Sequence, residues 1–169
     1  AMTNNINRLS QDILHELQQQ NLPDGITDFA TFRDWLNQYY SYLQYVEIKE
    51  FYDNGIEYSR IFQQKNVDVG ALQQQIVDQV GQYFSSFDEE DDEDFDLDAR
   101  IEMDEKIEEI LFEHIKHVAE QHQLQLLVIV RENPYWMVVP QQEQARLKQI
   151  VSCFNQSFNQ NGDLNLIVY

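Results

Sequence analysis

The sequence lacks most of the residues and motifs that mark disulfide frameworks, zinc sites and common enzymes. Among 169 residues there are one cysteine, Cys153, and five glycines. A single cysteine cannot form an internal disulfide or a multi-cysteine zinc motif, so we expect a reducing, cytoplasmic setting. No G-x-S-x-G, HExxH or glycine-rich phosphate loop is present. The sequence therefore predicts a protein without a cofactor or enzymatic activity, although a site assembled from scattered residues stays an alternative.

Long apolar runs are also missing from the sequence. The longest, residues 126–130, is far shorter than the ~18 residues that a membrane span needs. No basic segment followed by an apolar one opens the chain, and we interpret Met2 as the natural start and Ala1 as a remnant of tag removal. Because 43% of the residues are hydrophobic and 12% aromatic, we expect one folded domain over residues 1–169.

Positive charge is scarce throughout the chain. The sequence contains 11 Lys and Arg residues and 30 Asp and Glu residues, which gives a net charge of −19. Residues 88–120 contain 16 carboxylates and only three basic residues, a local net charge of −13. Such a concentrated negative field repels nucleic acids and membranes and attracts basic protein surfaces or divalent cations. We therefore expect a basic protein partner, with neither direct nucleic-acid binding nor membrane binding.

The apolar pattern before residue 85 predicts helices. Apolar residues three and four apart indicate helices over about residues 5–20 and 29–46, the second capped by the preceding Thr or Asp. A further helix is predicted over 68–84, where an Asp can serve as its N-cap. Between residues 45 and 62 the Asp-Asn-Gly turn signal at 53–55 fits either a hairpin or a break between helices, and we favour helices.

The pattern changes after an acidic connecting segment at residues 88–98. A helix over about 99–122 is followed by strands at 124–131 and 135–139, a helix through Leu147–Phe158 and a terminal strand at 164–169. The first of these strands is apolar on both faces, so it should be central and covered. The sequence predicts an α+β fold, in which a mainly helical N-terminal half packs with a C-terminal αββαβ unit carrying a small sheet.

The acidic segment admits three interpretations. Blocks of like charge repel and stay solvated, so a mobile loop between two helices is the first. The second is a surface for a basic partner, because the helix that follows continues the negative charge along its exposed side. The residues that would form this surface are Asp88, Glu89, Glu90, Asp91, Asp92, Glu93, Asp94, Glu102, Glu105, Glu109 and Glu113.

The third interpretation is a calcium site in an EF-hand-like loop over residues 94–105. Its carboxylates would be Asp94, Asp96, Asp98, Glu102 and Glu105. Against it, Ala99 occupies the turn position that calls for glycine, and the preceding segment is carboxylate rather than amphipathic helix. A second metal pattern, Glu113, His117 and Glu120 on one helix face, lacks completing ligands elsewhere, so we interpret it as ordinary surface.

Tyrosines are concentrated in one short region. Six of the nine lie within twenty residues, at Tyr39, Tyr40, Tyr42, Tyr45, Tyr52 and Tyr58. One helix face cannot bury them all, so some are expected at the surface, where tyrosine is common in recognition sites. We expect Tyr40, Tyr42 and Tyr45 to contact a partner; lining a groove between two halves of the core is the alternative.

Charge and tyrosines together predict a non-enzymatic protein-binding module. The favoured function is an inhibitor, immunity protein or chaperone whose acidic face imitates a nucleic acid and covers a basic surface of a partner such as a nuclease. A calcium-binding protein that uses the 94–105 loop is the first alternative. An enzyme whose site forms no recognisable motif is the second.

Overall fold

A computed structural model describes residues 2–23, 26, 28–50, 54–85 and 97–169. These ranges contain six α-helices and four strands. In chain order they are α1 (Met2–Ile13), α2 (Phe29–Leu36), β1 (Gln44–Tyr45), α3 (Arg60–Gln64), α4 (Val69–Ser85), α5 (Leu97–Gln121), β2 (Leu124–Val130), β3 (Tyr135–Pro140), α6 (Gln144–Phe158) and β4 (Asn165–Val168). The predicted α+β class is confirmed, as is the C-terminal order of helix, strand, strand, helix and strand.

The four strands form one antiparallel sheet in the order β1-β3-β2-β4. In the middle of the sheet Val128 stands opposite Trp136 on one side and Ile167 on the other. The side chains of β2 alternate between the two faces, and nearly all of them are buried. The prediction that this strand is central and covered is therefore confirmed.

Helices cover both faces of the sheet. On one face Leu127, Ile129 and Leu166 meet apolar residues of α1, α2 and α6, including Phe32 and Phe154. On the other face α5 packs against β2, and the ring of Trp136 lies 5.8 Å from that of Phe62 in α3. Both layers belong to one continuous cluster of buried apolar residues. No helix in the described ranges is long and apolar enough to cross a membrane.

The first two helices are shorter than predicted. Helix α1 ends at Ile13 and a 3₁₀ helix follows at His15–Gln19, while α2 ends at Leu36 instead of continuing to residue 46. The predicted N-cap of α2 is present, since the Asp28 carboxylate accepts a hydrogen bond from the Thr31 N–H at 2.8 Å. Asn37 holds the chain in a turn after α2, because its side chain binds the backbone of residues 42 and 43. Apolar spacing alone does not reveal this stop signal.

The interpretation of residues 45–62 as helices is wrong in part. Strand β1 begins this region and pairs with β3 rather than with a local hairpin partner. Short 3₁₀ helices follow at Ile48–Glu50 and Ile56–Tyr58, and α3 completes the segment. Gly55 adopts φ +79°, and a Cβ there would lie 2.7 Å from the Cβ of Gln44. Glycine is therefore required at this turn on both conformational and steric grounds.

Candidate protein-binding surface

Helix α5 separates apolar and acidic side chains onto opposite faces. Its buried residues include Ile107, Ile110, Leu111 and Ile115. Exposed carboxylates recur three or four residues apart, a spacing that aligns side chains along one side of a helix. We call four of them, Glu102, Glu105, Glu109 and Glu113, the acidic stripe. The sequence prediction that these four residues lie on the exposed side of one helix is confirmed.

The acidic stripe has a defined length and charge density. Its eleven steps from Glu102 to Glu113 correspond to about 17 Å of helix, with a charge about every 4.5 to 6 Å. One strand of B-DNA carries a phosphate about every 3.4 Å along its axis. The stripe therefore resembles a nucleic-acid strand in the sign and linear order of its charges, at a lower density.

Few cations neutralise the acidic stripe. Lys106 forms an ion pair with Glu109 at 3.5 Å, and both side chains are largely exposed, so this pair contributes little stability. The Tyr169 hydroxyl donates a hydrogen bond to Glu113 at 3.4 Å. Among the described residues, neither Glu102 nor Glu105 has an ion-pair partner. Most of the charge of the stripe is therefore available to a partner.

Neighbouring titratable groups respond to burial and to the negative charge of α5. Burial raises the pKa of Glu108, and the charge of Glu105 raises it further. Burial also raises the pKa of Tyr169 to about 12, with a further contribution from Glu113. His114, which contacts Gln79 of α4, has a lowered pKa because it is partly buried and because His117 lies nearby. Burial thus disfavours the charged form of each of these three groups, and the negative charge of α5 adds to the effect for Glu108 and Tyr169.

The tyrosines predicted to contact a partner divide into two groups. Tyr40 and Tyr45 are each 44% exposed, whereas Tyr42 is only 1% exposed. The prediction that Tyr42 contacts a partner is wrong, because its ring is in the core and its hydroxyl donates a hydrogen bond to Glu16. Tyr39 and Tyr58, at 66% and 59%, are the more exposed neighbours. Tyr42 is thus a core residue rather than a surface residue.

The exposed tyrosines contact other aromatic and basic side chains. Among the described residues, Tyr40 contacts Tyr42 and Arg60, and Tyr45 contacts Tyr135. Within the described ranges, neither Tyr40 nor Tyr45 forms a hydrogen bond or ring contact with the acidic stripe.

Sequence reasoning missed a partly buried polar cluster around Glu16. The Arg60 guanidinium donates two hydrogen bonds to this carboxylate, Nε to Oε2 at 3.0 Å and Nη2 to Oε1 at 2.6 Å. The same guanidinium lies 3.8 Å from the centre of the Tyr40 ring. Arg60 and the Tyr42 hydroxyl lower the pKa of Glu16. Glu16 and Arg60 are 44 residues apart, and no local pattern connects them.

The proposed calcium ligands do not form an EF-hand loop in the part that the structure describes. Asp98, Glu102 and Glu105 lie in the first turns of α5, whereas EF-hand ligands are presented by a twelve-residue loop. Asp94 and Asp96 lie outside the described residues, as do Asp88, Glu89, Glu90, Asp91, Asp92, Glu93 and Tyr52.

The second metal pattern places its three residues along α5. Glu113, His117 and Glu120 are all exposed on this helix. Within the described ranges, no group of three or more His, Cys, Asp or Glu residues is arranged to hold a metal ion.

Family models, curated proteins and solved structures give no significant match to this chain.

Proposed function

We propose that this protein is a non-enzymatic, cytoplasmic binding module that covers a basic surface of a partner protein with the acidic stripe. The observation that carries the proposal is the exposure of four carboxylates in one row, on a helix whose opposite face is anchored in the core. Because the helix is already ordered, its carboxylates lose little conformational freedom when a partner binds. Favourable charge contacts would therefore contribute to affinity with a small ordering cost.

The sign of the charge selects the class of partner. At a net charge of −19, the protein repels phosphate backbones and anionic membranes, and it attracts cationic protein surfaces. A nuclease groove is such a surface, because it is built to hold a row of phosphates. The same charge contacts would serve an immunity protein that inhibits a nuclease or a chaperone that protects a basic protein. Both predict fast association that slows steeply as salt is added.

The test compares two variants that lose the same number of charges. In the first, Glu102, Glu105, Glu109 and Glu113 are each changed to Gln. The matched control changes other exposed acids outside residues 88–120, Glu57→Gln, Asp78→Asn, Glu132→Gln and Asp163→Asn. Partners are captured from a lysate of the source cell at low and high salt, identified, purified and used in association kinetics.

The stripe variant should keep its fold, because the changed residues avoid the buried face of α5. Its association rate at low salt should fall about tenfold or more, with a flatter dependence on salt. The control variant should associate nearly as fast as the unmodified protein. An acidic or neutral captured partner, or equal association rates for the two variants, would show that the stripe is a solvated surface without a binding role.

A further inference from the structure

A groove of about 650 Å³ lies between helix α6 and the edge strand β4. Its volume is within the range of ligand-binding clefts, roughly 300 to 1,000 Å³. Both elements contribute apolar side chains to its lining, namely Leu147, Val151, Leu166, Ile167 and Val168. The Val168 side chain is 41% exposed, so an apolar group that entered the groove would remove apolar surface from water.

The charge of the groove differs from that of the whole protein. The described residues that line it include no Asp or Glu, although the chain contains 30 of them. Their one charged side chain is Lys148, which is exposed and forms no ion pair within the described ranges. Salt screens charges over about 8 Å at physiological ionic strength, so groups near the groove contribute most to its potential. The groove therefore favours an occupant that combines apolar side chains with a carboxylate.

The backbone of β4 offers a free donor and a free acceptor at this groove. Tyr169 donates its N–H to the Leu126 carbonyl of β2. Since residues alternate along an antiparallel strand, Leu166 and Val168 point their backbone groups away from β2. The groups of Leu166 are paired with the Asn155 side chain, which shows that α6 flanks this edge. The groups of Val168, about 7 Å further along the strand, have no hydrogen-bond partner within the described residues.

We propose that the groove receives an extended peptide segment of a partner protein, with apolar side chains at alternate positions and a carboxylate that reaches Lys148. One residue of the segment exchanges two hydrogen bonds with the Val168 backbone, as in an antiparallel strand pair. Asn155, which bridges α6 and β4, limits the strand pairing to this position. The inference goes beyond the proposed function, because the occupant is acidic and no lining residue of the groove belongs to the acidic stripe.

The probe for the test is the pentapeptide acetyl-Val-Thr-Val-Thr-Glu-amide. Alternate side chains of a strand share one face, so its valines and its glutamate can face the groove together. It is titrated into ¹⁵N-labelled protein while amide chemical shifts are recorded. We expect saturable shifts at residues 147–152 and 165–169. Absence of saturation, or saturable shifts confined to other residues, would overturn the proposal.

Two altered probes separate the role of charge from that of strand pairing. A probe with lysine in place of glutamate should bind about two- to fivefold more weakly, as expected for an exposed ion pair. A probe N-methylated at every residue keeps the side chains but cannot donate to the Val168 carbonyl, and it should bind about tenfold more weakly. Binding of either altered probe with the affinity of the original would contradict the proposal.

Two variants test the same contacts from the side of the protein. Lys148→Glu should reverse the preference, so that the lysine probe binds more tightly than the glutamate probe. Its matched control, Lys65→Glu, reverses an exposed charge at the end of α3 and should leave both affinities unchanged. Val168→Pro removes the outward N–H and spares the ladder with β2, as proline does at such edge positions, and should weaken probe binding about tenfold. An unchanged preference in Lys148→Glu, or unchanged affinity in Val168→Pro, would count against the proposal.

A second copy of this chain is the other occupant that the experiments can reveal. Light scattering coupled to size exclusion should give the monomer mass at every concentration of the protein alone, because each copy carries a net charge of −19 and like charges repel. A mass that rises with concentration, together with shift changes at the groove on dilution, would show an interface between copies. The assignment of the groove to a peptide segment would then fail.

Discussion

Asn155 of α6 pairs with the backbone of Leu166 in β4 through two hydrogen bonds. The side-chain Oδ1 accepts from the Leu166 N–H at 2.8 Å, and Nδ2 donates to the Leu166 carbonyl at 3.1 Å. In an antiparallel pair, alternate residues point their backbone groups away from the partner strand. Tyr169, three residues further on, donates to Leu126 of β2, which places Leu166 among the outward-pointing residues. The Asn155 amide thus replaces a neighbouring strand and protects this sheet edge.

Replacing Asn155 with Leu should destabilise the protein and open the edge. Two backbone groups lose their partners, at a cost of about 1 to 3 kcal/mol, and become free to pair with a strand of another molecule. Light scattering coupled to size exclusion should show a mass that rises with protein concentration. The control Gln156→Leu adds the same apolar group to an exposed position of α6 and should leave the mass unchanged. Identical elution of both variants and the unmodified protein would refute this role.

Asn7 offers a site at which stability can be raised. It is 0% exposed, and within the described part of the chain neither its Nδ2 nor its Oδ1 has a hydrogen-bond partner. Because the amide is buried without compensation, Asn7→Leu should increase the free energy of unfolding by about 1 to 3 kcal/mol. Urea denaturation monitored by tryptophan fluorescence measures the change.

The same substitution at Asn37 should have the opposite effect. The side chain of Asn37 donates to the Leu43 carbonyl at 2.9 Å and accepts from the N–H groups of Tyr42 and Leu43 at 3.0 Å. Asn37→Leu should therefore decrease the free energy of unfolding by about 1 to 3 kcal/mol. If Asn7→Leu also decreased the free energy of unfolding, the buried Asn7 amide would not be destabilising.

The pairing of Glu16 with Arg60 predicts a pH-dependent contribution to stability. Because Arg60 lowers the pKa of Glu16 below its ordinary value of 4.5, the carboxylate stabilises the folded state above pH 4.5. This contribution is lost as the pH falls through the lower, folded-state pKa. The variant Glu16→Gln should be less stable than the unmodified protein by about 1 to 3 kcal/mol at pH 7. The difference should shrink in urea denaturation at progressively lower pH, and a constant difference would exclude this mechanism.

The elements that the sequence predicts well are those whose signal is local. Helix α5 shows a 3.6-residue apolar period from Met103 to Val118, so both its existence and its exposed stripe could be predicted. Strand β1 has two residues and exists because β3 lies beside it, so no local pattern marks it. No local pattern marks the position of Tyr42 either, because the Glu16 carboxylate that accepts its hydrogen bond is 26 residues away. Charge and periodicity thus predict the acidic stripe, whereas the pairing of Glu16 with Arg60 depends on tertiary packing.

The strand order of the sheet affects how the chain can fold during synthesis. Gln44 pairs with Trp136, so strand β1 cannot join the sheet until the ribosome has added about ninety further residues. At typical ribosomal rates this delay is roughly 5 to 20 s. The indole of Trp136 also donates to the Asn54 carbonyl at 2.8 Å, so a second contact of the N-terminal half arrives at the same moment. A nascent chain therefore exposes the apolar faces of α1 and α2 for seconds before the sheet covers them, a period in which general chaperones have access.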